Sequence, residues 1–110
     1  MIVVSAFWAS LPRDGDLPVL FMFTAREMTI TGLVQGVGFR WTARRIAESE
    51  GVSGWVRNNP DGSVGLAVEG PEESVERFME RLNEALGGYI DRIESRAAVP
   101  GNGGGFVIIR

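Results

Sequence analysis

From Arg26 onward the apolar positions change their spacing several times between the two-residue repeat of a strand and the 3.6-residue repeat of a helix. Met28, Ile30 and Gly32 alternate with Thr29 and Thr31, which predicts a half-buried strand. A glycine-rich turn follows at 35–38. Phe39 to Glu50 then reads as a helix, with Phe39, Ala43, Ile46 and Ala47 on one face and Arg44, Arg45 and Glu48 on the other. Gly51 stands just past its end, where a left-handed residue is wanted. Val52–Asn58 and Ser63–Glu69 predict a hairpin with Val64, Leu66 and Val68 inward and Asn59-Pro60-Asp61-Gly62 as its turn. Gly70-Pro71-Glu72-Glu73 opens a second helix, with Pro at its first position and acids at the positive end of its dipole. Val75, Phe78, Met79, Leu82, Ala85 and Leu86 carry that helix to Gly87-Gly88. Tyr89–Val99 reads as a strand with Ile93, Ala97 and Val99 inward and Arg92, Glu94 and Arg96 outward. After a turn at Pro100–Gly105, Phe106–Arg110 is a short closing strand.

This order, β-α-β-β-α-β with a terminal strand, predicts an α+β fold of the ferredoxin-like plan, an antiparallel sheet with two helices on one face. The plan hosts many functions and by itself selects none. Residues 1–25 break the pattern: two apolar runs, Ile2–Ala9 and Leu17–Phe23, flank Pro12-Arg13-Asp14-Gly15-Asp16. Neither run approaches the roughly 20 residues of a membrane span, and no positive segment marks a secretory leader. We therefore expect a loosely ordered N-terminal extension at 1–25 and one domain at 26–110, with Met22 and Met28 as alternative starts.

Composition sharpens this reading mainly by what is missing. The 110 residues are 45 % apolar and 23 % charged, the balance of an ordinary soluble single domain. There is no Cys, no His and no Lys, so all 11 cationic side chains are Arg. That excludes thiol nucleophiles, imidazole bases, Schiff-base lysines and zinc sites built on Cys or His. It leaves carboxylate, hydroxyl, amide, guanidinium and backbone N–H, and a lack of Cys is compatible with the cytoplasm. A net charge of −3 has the wrong sign for general nucleic-acid binding. A local positive pocket remains open, because Arg40, Arg44, Arg45 and Arg57 lie close in sequence.

The candidate chemistry begins with Gln35-Gly36-Val37-Gly38-Phe39-Arg40, between a strand and a helix N-terminus. N–H groups there have no intrahelical partner, and the dipole favours an anion. Gly36 and Gly38 permit close backbone approach, and the Arg40 guanidinium fork suits two phosphate oxygens. Taken alone, the glycines also fit an ordinary tight β–α turn. Two familiar motifs fall: a Walker loop needs a Lys, and a dinucleotide fingerprint needs a small residue where Trp41 stands. A second segment, Gly54-Trp55-Val56-Arg57-Asn58, puts Asn58 on the side of Gly54 and Val56, with Trp55 and Arg57 opposite. An amide there can bind water and an oxyanion at once, or simply cap the turn. Asn59 and Asp61 are assigned to the turn itself.

Gly32-Leu33-Val34-Gln35-Gly36-Val37-Gly38-Phe39-Arg40 resembles the first signature of the acylphosphatase family, Gly-x-Val-Gln-Gly-Val-x-Phe-Arg, without a mismatch. Gly54–Asn58 with Asp61-Gly62-Ser63-Val64 is similar to its second, and the resemblance spans 26–110. It implies hydrolysis of the carboxyl–phosphate bond of acyl phosphates with no metal or organic cofactor. By the same resemblance, Arg40 corresponds to the phosphate-binding arginine and Asn58 to the water-orienting asparagine. The expected partner is a small acyl phosphate, with neither nucleic acid nor membrane, and the expected state is a cytoplasmic monomer. Trp41, where the family often has Tyr, and Leu86–Tyr89, where a Gly-Pro-rich link is commoner, are departures expected to change packing alone. Two readings compete: a non-catalytic anion-binding module of the same fold, and the acylphosphatase-like domain of a hydrogenase-maturation carbamoyl transferase. The second continues into Cys-rich zinc segments, and this chain has no Cys.

Overall fold

The computed structural model describes residues 22–101 and 103–110. Its elements are β1 (Phe23–Gly32), α1 (Phe39–Glu50), β2 (Ser53–Asn58), β3 (Val64–Pro71), α2 (Glu72–Leu86), a 3-10 turn (Gly87–Tyr89), β4 (Ile90–Ala97) and β5 (Phe106–Ile109). The five strands form one sheet in the order β4-β1-β3-β2-β5. Three pairings are antiparallel, with Met28 opposite Leu66, Val56 opposite Leu66 and Ile30 opposite Ile93. The fourth, β2 with β5, is parallel, with Val56 opposite Ile108. The four strands β1–β4 thus form the expected antiparallel sheet, and the short closing strand makes the whole sheet mixed. The cause is the route of the chain. β4 runs down beside β1, the connection stays at the lower end of the sheet, and β5 must then rise in the direction of β2. Glu69 fastens that connection, accepting the N–H of Gly101 at 2.6 Å and of Gly103 at 3.2 Å.

Both helices cover one face of the sheet, and the core fills the space between. Ile30, Val34, Ala43, Ala47, Val56, Leu66, Phe78 and Leu82 are fully buried, with Phe39 and Phe106 nearly so. Burying each large side chain contributes roughly 1.5–3 kcal/mol. The rings of Phe78 and Phe106 meet at 5.9 Å between centroids, tying α2 to the last strand. Where the helices touch at their edges, Glu50 receives Arg77 at 2.8 Å and Arg81 at 3.0 Å. Those two hydrogen-bonded guanidinium groups hold the Glu50 carboxyl below the usual carboxylate range.

Several boundaries differ from those read in the sequence. β1 begins at Phe23, with Phe23, Thr24 and Ala25 opposite Pro71, Gly70 and Glu69. Pro71 ends β3 and precedes α2 rather than opening it. Ala85 points to solvent, and β4 stops at Ala97, with Ala97 exposed and Val99 beyond the ladder and 89 % exposed. An edge strand has only one neighbour, so small residues at its frayed end find no core to enter. The predicted cap at Gly51 is present: it is left-handed, at φ 75°, and its N–H donates to Ala47 O. The apolar run Ile2–Ala9 and residues 17–21 of the run Leu17–Phe23 lie outside the described residues, as does residue 102 of the glycine loop. Among the described residues no helix is long and apolar enough to cross a membrane.

Candidate active site

Three segments meet at the upper end of the sheet: the β1–α1 loop, the end of β2 and the end of β5. The loop is anchored at both sides. Leu33 N–H donates to Tyr89 O at 2.9 Å, and the Val34 side chain is fully buried. Gln35 turns its amide across the loop, and Nε2 donates to Asn59 O at 2.8 Å and to Ser63 O at 2.9 Å. Val37 packs against the core. Between these anchors Gly36 and Gly38 are both left-handed, at φ 81° and 79°. Alternating left-handed residues turn successive N–H groups toward one point, the backbone form of an anion-binding concavity. A Cβ at either glycine would meet no atom within 4 Å, so the conformation requires glycine there, not the space.

The electrostatics have the same sense. Gly38 precedes α1 with no side-chain cap, and the first turn carries no acid. Among the described residues, the N–H groups of 35–41 donate to no backbone carbonyl outside the regular elements and to no side chain. Arg40, half-buried in that first turn, is a cation at the end of the helix whose dipole repels cations. Among the described residues no carboxylate lies within ion-pair distance of it. An anion between the N–H groups and the guanidinium would satisfy both.

Asn58 reaches the same place by strand alternation. Val56 is fully buried beneath the helices, and Asn58 follows on the same side at the top of β2. Its side chain makes no hydrogen bond among the described residues. The turn is satisfied without it: Asn59 N–H donates to Ser63 O at 2.8 Å, Asn59 Nδ2 to Ser63 Oγ at 3.0 Å, and Ser63 Oγ to Asp61 Oδ1 at 2.6 Å. The Ser63 hydroxyl, with the Ser63 N–H at 2.9 Å, holds the Asp61 carboxyl below its ordinary value. The capping role open to Asn58 in the sequence is thus filled by Asn59 and Asp61.

A cavity of about 110 Å³ lies where these pieces converge. Of the residues the sequence pointed to, Gly36, Gly38, Phe39, Arg40 and Asn58 line it, and Gln35 and Val37 do not. Trp41, Ile108 and Arg110 line it as well. The signal for the last two was the direction of β5, which only the parallel pairing of Arg57 with Ile109 discloses. A larger cavity, about 420 Å³, lies by the opposite face and lower end of the sheet, beside Trp55, Ala67 and Glu69. Its carboxylates are engaged, Glu69 by the connection before β5 and Glu27 by Arg96 at 3.1 Å, and no helix N-terminus lines it. Size does not mark the site here; convergence of unpaired donors does.

The class these features define is an α+β sandwich with an arginine-bearing glycine turn at a helix start. The family model described as Acylphosphatase matches residues 26–108, and the chain belongs to the acylphosphatase family. An acylphosphatase of Lactobacillus gasseri is 45 % identical over 69 residues, 61 % of this chain and 76 % of its own length. One of Azoarcus sp. is 45 % identical over 83 residues, 74 % of this chain and 85 % of its own. Among solved structures, the acylphosphatase from Bacillus subtilis superposes with a TM-score of 0.72 at 27 % identity, over 81 % of this chain and all of that one. Full-length HypF superposes with a TM-score of 0.73 at 34 % identity over 88 % of this chain, which corresponds to 13 % of HypF.

Proposed function

We propose that this protein hydrolyses acyl phosphates to a carboxylate and inorganic phosphate, and that it does so in the 110 Å³ cavity without a metal ion. The observation that carries the reading is the meeting of Arg40 and Asn58, 18 positions apart in sequence, on one cavity beside left-handed Gly36 and Gly38. The backbone N–H groups of 36–40 and the Arg40 guanidinium hold the phosphoryl oxygens and stabilise the charge that develops on them. The Asn58 amide accepts a hydrogen bond from a water and orients it toward phosphorus, in line with the bond to the acyl oxygen. As the water oxygen bonds to phosphorus, that P–O bond breaks and the carboxylate leaves with its electron pair. A carboxylate is a good leaving group, and a loose transition state asks little of its nucleophile, so positioning and charge stabilisation suffice without a strong base.

Wild-type protein should hydrolyse benzoyl phosphate in the presence of EDTA. Arg40→Ala should lower kcat/KM by about 10²–10³, raising KM and lowering kcat, as expected for a lost transition-state donor. Asn58→Ala should lower kcat by about 10² with little change in KM. A folded Arg40→Ala variant with full activity overturns the assignment. Phosphate binding by wild-type protein without turnover would instead establish the non-catalytic anion-binding module.

A further inference from the structure

Resting on that reading, we infer that Trp41 is the binding platform for the acyl part of the substrate and that the enzyme favours aromatic or bulky apolar acyl groups over acetyl. The cavity, at about 110 Å³, is well below the roughly 300 Å³ at which pockets begin to enclose whole ligands. The glycine loop, Arg40 and Asn58 give it polar walls suited to the phosphoryl group, so the acyl group must extend beyond them. Trp41 stands beside that exit. It follows Arg40 in the first turn of α1, lines the cavity and is 67 % exposed.

Packing does not account for this indole. The buried face of α1 is Phe39, Ala43, Ile46 and Ala47, and Trp41 lies off it. The departure from the family pattern, expected to change packing alone, thus falls on an exposed ring. The ring is nonetheless braced: the Arg44 guanidinium lies over it at 6.0 Å from its centroid and is itself paired with Glu48 at 3.1 Å. A braced, exposed aromatic surface costs little ordering on contact with a second flat apolar group. Ile108, half-buried on β5, adds an apolar wall to the same cavity.

The test compares benzoyl phosphate with acetyl phosphate as substrates. Contact with the acyl group is made equally before and during the reaction, so it belongs in KM rather than kcat. Trp41→Ala should raise KM for benzoyl phosphate by about three- to tenfold, the range of an aromatic contact. It should leave KM for acetyl phosphate and inhibition by inorganic phosphate unchanged, and Trp41→Phe should restore most of the loss. An equal rise for both substrates would show that Trp41 merely shapes the loop, and an unchanged KM for benzoyl phosphate would show no acyl contact; either overturns the inference alone. Failure of wild-type protein to hydrolyse either substrate overturns the reading on which it rests.

Discussion

Two glycine-bearing loops lie side by side at the upper end of the sheet, and they use their polar groups in opposite ways. The 59–63 turn has its polar groups spoken for: Asp61, Asn59 and Ser63 bond to one another, and the Asn59 and Ser63 carbonyls also accept from Gln35. The 35–40 loop leaves its backbone N–H groups unmatched, among the described residues, beside a cavity that also receives Arg40. Both contain left-handed glycines, at φ 95° for Gly62 and 79° for Gly38. Glycine content and handedness therefore do not separate a site from a turn. The fate of the N–H groups does: among the described residues, those of 36–40 stay unpaired beside a cavity that also receives a cation, at a helix start that favours an anion.

The sharpest way to break this contrast is to strain both loops equally. Gly38→Ala and Gly62→Ala should each cost about 1–2 kcal/mol of stability, the penalty of a Cβ in a left-handed conformation. Only Gly38→Ala should reduce acyl phosphate turnover, by about 10²-fold, because only there do the displaced N–H groups face the reaction. Equal losses of activity in the two variants would dissolve the distinction. Gln35 is the strut between the loops, so Gln35→Ala should cost about 1–2 kcal/mol in urea unfolding. It should also lower kcat/KM by about tenfold as the cradle loses its support. Asp61→Asn is the mildest change, expected to lower Tm by a few degrees and to leave kcat/KM unchanged. The pH dependence follows from the same carboxyl. Its folded pKa is depressed below the unfolded value, so its stabilisation is complete above the ordinary carboxylate range and fades as pH falls through the depressed value. Glu50, held down by Arg77 and Arg81, acts in the same window and with the same sign. Acid unfolding followed by circular dichroism, with Asp61→Asn losing less stability on acidification than wild type, checks that assignment.

Most elements were legible because each amphipathic repeat is a local property. Phe39, Ala43, Ile46 and Ala47 are buried where the helical period put them, and Val64, Leu66 and Val68 where the strand alternation did. Asn58 could be placed for the same reason, by its parity with Val56. What stayed hidden depends on partners distant in sequence. The start of β1 at Phe23 is set by pairing with Pro71, not by any local turn residue. Gln35 sits inside a signature, yet its amide is spent on two carbonyls 24 and 28 residues away. Ile108 and Arg110 reach the cavity only because β5 runs parallel to β2, and no residue type in either strand encodes that direction.

The parallel closing strand also fixes when the cavity can exist. Its walls come from six residues between Val34 and Trp41, from Asn58, and from Ile108 and Arg110, so it is assembled only by contacts between far-separated parts of the chain. Such non-local closure costs loop-closure entropy and slows folding. During synthesis the glycine loop emerges long before the strand that completes the site. The nascent domain thus carries an unfinished anion cradle until Phe106–Ile109 docks beside β2, so that competence to act arrives together with completion of the sheet.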